Sequence, residues 1–325
     1  MTTPAPDLKT LIRRLEKRHQ KKQAATALIA GTAVLGLTVL VAPLFSQKEV
    51  APIAVEPQPI VMPASDAFEE VRLEGKAAIV YDLVTGETLY EKNSRSQLPL
   101  ASLTKLLTVY AAAESIDSNA TVTISDTALL SEGESGFSAG ESFAFGDLAR
   151  LALVSSSNDA TAAIAETAAI AQATTGKNML ASAASALGLA QTYALNGTGL
   201  DESTSVSGGY GSAKDIATLS GKLLQIAPEI ARATIDQSIS IRSREGVVHT
   251  LPNTNPGVAR IPNALLSKTG FTDLAGGNLA VVYDAGIGHP IAIVVLGSSR
   301  DGRFTDVNML MNRTNEYFAG VNDQR

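Results

Sequence analysis

The sequence predicts an α/β fold of the α+β kind, with one sheet built from both ends of the globular region and a helical insertion between them. Strand-like runs stand at Ala77–Asp82 and Glu87–Glu91, and again at Leu265–Ser267, Asn278–Tyr283 and Pro290–Gly297. Between them lies an Ala- and Leu-rich region, about residues 102–235, with mostly helical periodicity. A final amphipathic run, Phe304–Phe318, places Val307, Leu310, Met311 and Phe318 on one inward face. The first two strands join around Thr85-Gly86, a hairpin signal. No internal repeat is visible.

Composition supports a packed domain. Of 325 residues, 45% are hydrophobic and 18% charged, but only 5% are aromatic and none is Trp, so the core must be aliphatic. The net charge of -6 hides a split. Residues 1–23 hold seven basic side chains (Lys9, Arg13, Arg14, Lys17, Arg18, Lys21, Lys22) against Asp7 and Glu16, leaving 19 basic and 30 acidic residues beyond. An acidic body lacks the basic clusters that replace phosphate counterions, which excludes nucleic acid as a partner. The chain has no Cys, and its histidines are His19, His249 and His289. Thiol nucleophiles, disulfides and Cys-based zinc sites are excluded, and no two histidines stand at metal-ligand spacing. His249 and His289 read as surface or edge residues.

Residues 24–45 are uncharged over about 22 positions, enough to span the roughly 30 Å hydrocarbon core of a bilayer. No polar stripe exists to turn such a helix towards water. A cleaved signal peptide would have a shorter apolar run close behind its basic stretch. An uncleaved anchor fits better, and the basic segment before it places the N-terminus in the cytoplasm and the rest outside. The expected organisation is a cytoplasmic basic tail over 1–23, a transmembrane helix over 24–45, a tether over 46–68 carrying Pro52, Pro57, Pro59 and Pro63, and a globular domain over 69–325.

Three short motifs carry chemistry. In Pro99-Leu-Ala-Ser-Leu-Thr-Lys105, Ser102 and Lys105 would share one helix face, with the serine at the N-terminal end where free N–H groups favour negative charge. A serine hydroxyl needs a base, and a buried lysine becomes one as desolvation lowers its pKa. The plain alternative is a helix cap followed by a solvated lysine. Ser156-Ser157-Asn158 follows the apolar stretch Leu148–Val154, which reads as a buried helix ending in a polar turn. There Ser156 can relay a proton and the Asn158 amide can hold a carbonyl and the lysine, or the segment is only an Asx turn. Lys268-Thr269-Gly270 ends the strand-like run Ala264–Ser267. It can bind a carboxylate and let a second backbone approach an edge strand, or it is a solvated strand end.

In this order and spacing the motifs resemble those of the penicillin-binding proteins and serine β-lactamases. Within that group the chain is similar to the low-molecular-mass D-alanyl-D-alanine carboxypeptidases, peptidase family S11. The resemblance covers about residues 70–320 and takes in Ala77–Tyr81, Asp82, Thr85-Gly86, Ala101–Lys105, Ser157–Ala160, Asn196–Leu200, Asn253–Asn255, Lys268–Asp273 and Ala275–Asn278.

This resemblance implies a β-lactamase/transpeptidase-like fold, a five-stranded antiparallel sheet flanked by helices with an all-helical lobe beside it. An extra C-terminal β-domain is expected to be absent. Ser102 would be the acylated nucleophile and Lys105 its general base, with Ser156 and Asn158 completing the proton relay. Lys268 and Thr269, followed by Gly270, would hold the substrate's terminal carboxylate. The backbone N–H groups of Ser102 and Phe271 would form the oxyanion hole. Arg303 falls where relatives place a carboxylate-binding arginine, with Arg300 competing for the role. The implied reaction removes the terminal D-alanine from peptidoglycan stem pentapeptides through an acyl-enzyme, without metal or organic cofactor, and β-lactams would be covalent inhibitors. The alternatives are a D,D-endopeptidase cutting cross-links, a non-catalytic wall-binding module, and a β-lactamase. The last is disfavoured because Thr192 stands where the Glu-x-x-Leu-Asn pattern needs its deacylating glutamate.

Overall fold

The computed structural model describes residues 67–133, 136–286 and 288–320. The basic tail, the apolar span over 24–45 and all but the end of the Pro-rich tether lie outside the described residues. Among the described residues, no helix is long and apolar enough to cross a membrane.

The central sheet has five antiparallel strands: β1 (Ala77–Asp82), β2 (Thr88–Lys92), β3 (Ala264–Thr272), β4 (Gly276–Asp284) and β5 (Pro290–Ser298), in the order β3-β4-β5-β1-β2. The N-terminal hairpin thus pairs with the C-terminal strands, β1 lying on β5 from Ala77↔Leu296 to Asp82↔Ile291. This is the sheet expected from the chain's two ends. Its turn is held by Asp82, whose Oδ1 accepts the backbone N–H groups of Val84 (2.8 Å) and Thr85 (3.0 Å).

Strand alternation sends side chains to two separate cores. Ala77, Ile79, Leu266, Val282, Val294 and Leu296 join the large core shared with the helical lobe. Ala78, Val80, Val281, Ile293 and Val295 face the other way, against Val307, Leu310 and Met311 of the C-terminal helix.

The helices are α1 (Thr104–Ala113), α2 (Phe145–Val154), α3 (Asn158–Ala171), α4 (Gly176–Ala186), α5 (Ala213–Ile226), α6 (Pro228–Ala233) and α7 (Gly302–Ala319). Ser157, Thr175 and Ser212 cap α3, α4 and α5 by accepting a backbone N–H from the first turn. α1 is buried almost all round, as befits its apolar composition.

The structure departs from the sequence reading in three places. The lobe is not all-helical. It contains the ladders Thr121–Thr123 with Ser142–Ala144 and Ser238–Arg242 with Val248–Pro252; the first pair is too short to read from sequence, whereas Ser238–Arg242 alternates strictly and was a missed strand signal. β3 does not stop at Ser267 but runs on through the Lys-Thr-Gly motif, because β4 continues to pair with it (Lys268↔Ala280, Thr269↔Leu279, Gly270↔Asn278) where the apolar pattern has ended. His249 is not a surface residue. Its ring is buried against Phe137 (4.7 Å between centroids), with Nε2 3.1 Å from Glu141 Oε1.

The C-terminal helix is stitched to the start of the domain by one buried carboxylate. Asp306 accepts the backbone N–H groups of Glu74 (3.1 Å) and Gly75 (2.9 Å) and the hydroxyl of Ser298 (2.8 Å). Removing it strands buried donors, each costing about 1–3 kcal/mol. Asp306→Ala is therefore expected to destabilise the domain by about 2–4 kcal/mol in urea unfolding; a loss under ~0.5 kcal/mol would show that these contacts are exchanged freely for water.

Candidate active site

Ser102 sits in a single 3-10 turn, Ala101–Leu103, immediately before α1. This is the helix N-terminal position expected from sequence, with the regular helix beginning two residues later. Ala101 holds a left-handed φ of 48°, which makes the backbone change direction just ahead of the serine. Two contacts secure this bend. Leu100 N–H donates to Gly209 O (2.9 Å), and Gly199 lies so close beneath that a Cβ there would fall 2.0 Å from Ala101 O.

Lys105, 0% exposed, reaches back to the serine as its spacing predicted. Its Nζ lies 2.9 Å from Ser102 Oγ, 2.6 Å from Asn158 Oδ1 and 2.8 Å from Thr198 O. Burial lowers its pKa to about 7. A neutral amine has two N–H bonds and one lone pair. Asn158 Oδ1 and Thr198 O can only accept, so they take both N–H bonds, and the lone pair is left for the Ser102 hydroxyl. That is the arrangement a general base needs. The contribution of Thr198 was missed from sequence. Asn196–Leu200 had been noticed only as a matching segment, and a main-chain carbonyl has no residue-type signature.

The second motif lies at the α2–α3 junction. Ser156 takes a left-handed φ of 61°, turning its hydroxyl away from the Ser157 cap. Lys268, 1% exposed on β3, donates from Nζ to Ser156 Oγ and to Thr269 O, both at 2.8 Å. It is no solvated strand end. Its pKa is held well below the usual lysine range by burial first, then by the charges of Lys105 and Arg303. Thr269 Oγ1 lies 2.6 Å from Thr254 Oγ1, in the matched segment Asn253–Asn255.

β3 is an edge strand and backs directly onto the serine turn. A Cβ on Gly270 would stand 2.9 Å from Leu100 O and 3.3 Å from Ser102 N, so only glycine lets the two backbones lie this close. Phe271 follows, with the Arg300 guanidinium 3.9 Å above its ring. Arg303, at the start of α7, is buried and donates Nη1–H to Gly270 O (2.7 Å), while its Nε finds no partner among the described residues. Burial lowers its pKa, helped by Arg300.

Every site residue expected from sequence thus falls on three adjoining pieces of backbone: the Ser102 turn, the Ser156–Asn158 junction and β3 with Arg303 behind it. Among the described residues, Lys105, Lys268 and Arg303 form no ion pair with a carboxylate. Lys268 and Arg303, buried side by side with no carboxylate partner among the described residues, suit this region to an anion.

If Lys105 is the base, it must act in its neutral form, and acylation of Ser102 by any carbonyl probe should rise with pH through about 7 and fall about tenfold per unit below it. Single-turnover labelling from pH 5 to 9 measures this; a flat profile would remove Lys105 from the role.

Comparisons with known proteins point to one family. The family described as D-alanyl-D-alanine carboxypeptidase, Peptidase S11, matches residues 64–300. The D-alanyl-D-alanine carboxypeptidase DacF of Bacillus subtilis is 29% identical over 75% of this chain and 62% of its own length. This chain therefore spans less than two thirds of that relative. A D-alanyl-D-alanine endopeptidase of Pseudomonas aeruginosa is 30% identical over 72% of this chain and 74% of its own. Among solved structures, penicillin-binding protein D2 of Listeria monocytogenes in its ampicillin-bound form covers 75% of this chain and 98% of its own, at 25% identity and a TM-score of 0.61. With its family match spanning the sheet and all three motifs, the chain belongs to the D-alanyl-D-alanine carboxypeptidase family, peptidase S11.

Proposed function

We propose that the protein is a serine-type D-Ala-D-Ala carboxypeptidase that removes the terminal D-alanine of peptidoglycan stem pentapeptides. The observation that carries this reading is the Lys105 amine, buried and in contact with Ser102 Oγ at 2.9 Å. The Ser102 hydroxyl passes its proton to the Lys105 lone pair as Oγ attacks the carbonyl between the two D-alanines. The developing oxyanion is received by the N–H groups of Ser102 and Phe271. The substrate's terminal carboxylate lies along β3, held by Lys268 and Thr269, with Arg303 adding positive charge from behind the strand. A proton returns to the leaving amine by way of Lys105 and Ser156. Water then attacks the acyl-enzyme, with Lys105 again as base.

Slow deacylation of a penicilloyl group belongs to the same reading. Thr192, where a β-lactamase of the commonest serine class needs a glutamate, instead donates its hydroxyl to Asp215 Oδ2 (2.8 Å). The endopeptidase likeness favours one second reading, cleavage of D,D cross-links by the same serine. We place the domain outside the cytoplasmic membrane, anchored by residues 24–45, on the strength of their uncharged composition and the basic segment before them.

A fluorescent penicillin should label the wild type and leave Ser102→Ala unlabelled, with Lys105→Ala slowed about 10²–10⁴-fold. Mass spectrometry should find a pentapeptide shortened by one alanine. Cleavage of cross-linked muropeptides alone would convert the assignment to endopeptidase, and nitrocefin turnover at many cycles per second would convert it to β-lactamase.

A further inference from the structure

The Asn196 side chain is bonded more heavily than a surface turn requires. Its Oδ1 accepts Thr198 N–H (3.2 Å), Thr198 Oγ1–H (3.0 Å) and Gly199 N–H (2.7 Å). Its Nδ2 donates to Leu200 O (3.0 Å) and Glu202 Oε1 (2.6 Å). The amide therefore fixes every residue of the 198–200 turn, and its far side is clamped to Glu202.

This turn touches the catalytic group at three points. Thr198 O accepts from Lys105 Nζ (2.8 Å). Gly197 O accepts from the hydroxyl of Thr108, one turn further along α1 (2.7 Å). Gly199 packs beneath Ala101 O, the residue whose left-handed bend presents Ser102. A single amide thus sets the position of the carbonyl that occupies one Lys105 N–H and supports the bend that carries the nucleophile.

We infer that Asn196 is a positioning residue for acyl transfer: through Thr198 O and Gly199 it aims the Lys105 lone pair at Ser102. It touches no reacting atom. The inference rests on the acyl-transfer reading above and assigns the work of orientation within it. If the carbonyl swings away, an N–H of Lys105 loses its acceptor and water enters in its place. The amine then rotates off the serine, and its pKa climbs back from about 7 towards 10.5 as desolvation is relieved. Misplacement of this order costs about 10²-fold in rate.

The test is single-turnover acylation of the full-length protein by a fluorescent penicillin from pH 5 to 10, with thermal melting in parallel. For Asn196→Ala the rate at pH 7 should fall by about 10²-fold, and the acid limb should move to higher pH. Thr198→Val opens no cavity but removes one of the three donors to Oδ1 and the hydroxyl that accepts Leu200 N–H (3.2 Å), so it should melt a few degrees below wild type and still fold. Its rate should fall several-fold and its limb should move the same way. If Asn196→Ala does not fold, Thr198→Val decides the matter. Folded variants that keep the wild-type rate, or that lose rate with an unmoved limb, overturn the inference and leave Asn196 a structural turn residue. A wild type that takes no label at all fails the acyl-transfer reading instead, which separates the two outcomes.

Discussion

The proposed mechanism depends on one constraint: the Lys105 amine must be neutral while it faces the Ser102 hydroxyl, 2.9 Å away. Neutrality comes from burial, and burial comes from α1, a helix surrounded by protein on nearly every side. An amine removed from water loses several kcal/mol of solvation if it stays charged, so its proton is given up near neutral pH. The hydrogen bonds to Asn158 and Thr198 then act on direction and not on charge. They occupy the two N–H bonds and leave the lone pair with one destination. The rest of the fold supplies the walls that keep water from that amine.

The second buried lysine extends the same physics to substrate recognition. Lys268 is pressed towards neutrality by burial and by two neighbouring cations, and no carboxylate among the described residues pairs with it. An arriving carboxylate supplies the missing counter-charge and makes the protonated form favourable again. In the proposed reaction that carboxylate belongs to the residue after the scissile carbonyl, three bonds from it, and a neutral peptide end would leave Lys268 and Arg303 without a counter-charge. In that reading, substrate binding and the protonation of the buried amines are coupled through the charges of neighbouring Lys105, Lys268 and Arg303. Arg303 belongs to that coupling although its Nη1 is committed to Gly270 O, since its charge is felt across the strand.

Much of this was legible in the sequence, and what was missed has a common cause. The Ser102–Lys105 spacing, the strands β1, β2, β4 and β5 and the inward face of α7 are side-chain patterns, and pattern is what sequence displays. The carbonyl of Thr198 is main chain, so nothing at position 198 announced it. β3 beyond Ser267 was hidden because Lys268-Thr269-Gly270 interrupts the apolar run, although β4 pairs with it throughout. His249 misled for the opposite reason. A lone histidine in a polar hairpin reads as exposed, yet packing from Phe137 and Phe143, more than 100 residues earlier, buries it. The basic tail and apolar span remain sequence readings, because they fall outside the described residues.

The two left-handed residues beside the site show where conformational strain is accepted. Ala101 (φ 48°) and Ser156 (φ 61°) are not glycines, and each such backbone costs on the order of 1 kcal/mol. Glycine would remove the strain at both. At 156 it would also remove the hydroxyl that receives Lys268 Nζ, so the strain there is the cost of a functional side chain. At 101 no such group is at stake, and the reason must be rigidity. Glycine would let the turn before Ser102 sample many backbone states, whereas alanine, held under Leu100 and over Gly199, allows few. The glycines of the site stand instead at 199 and 270, where a second backbone must come within contact distance. Strain is thus spent on orienting the nucleophile, and freedom from side chains is kept for bringing β3 and the 198–200 turn up against it.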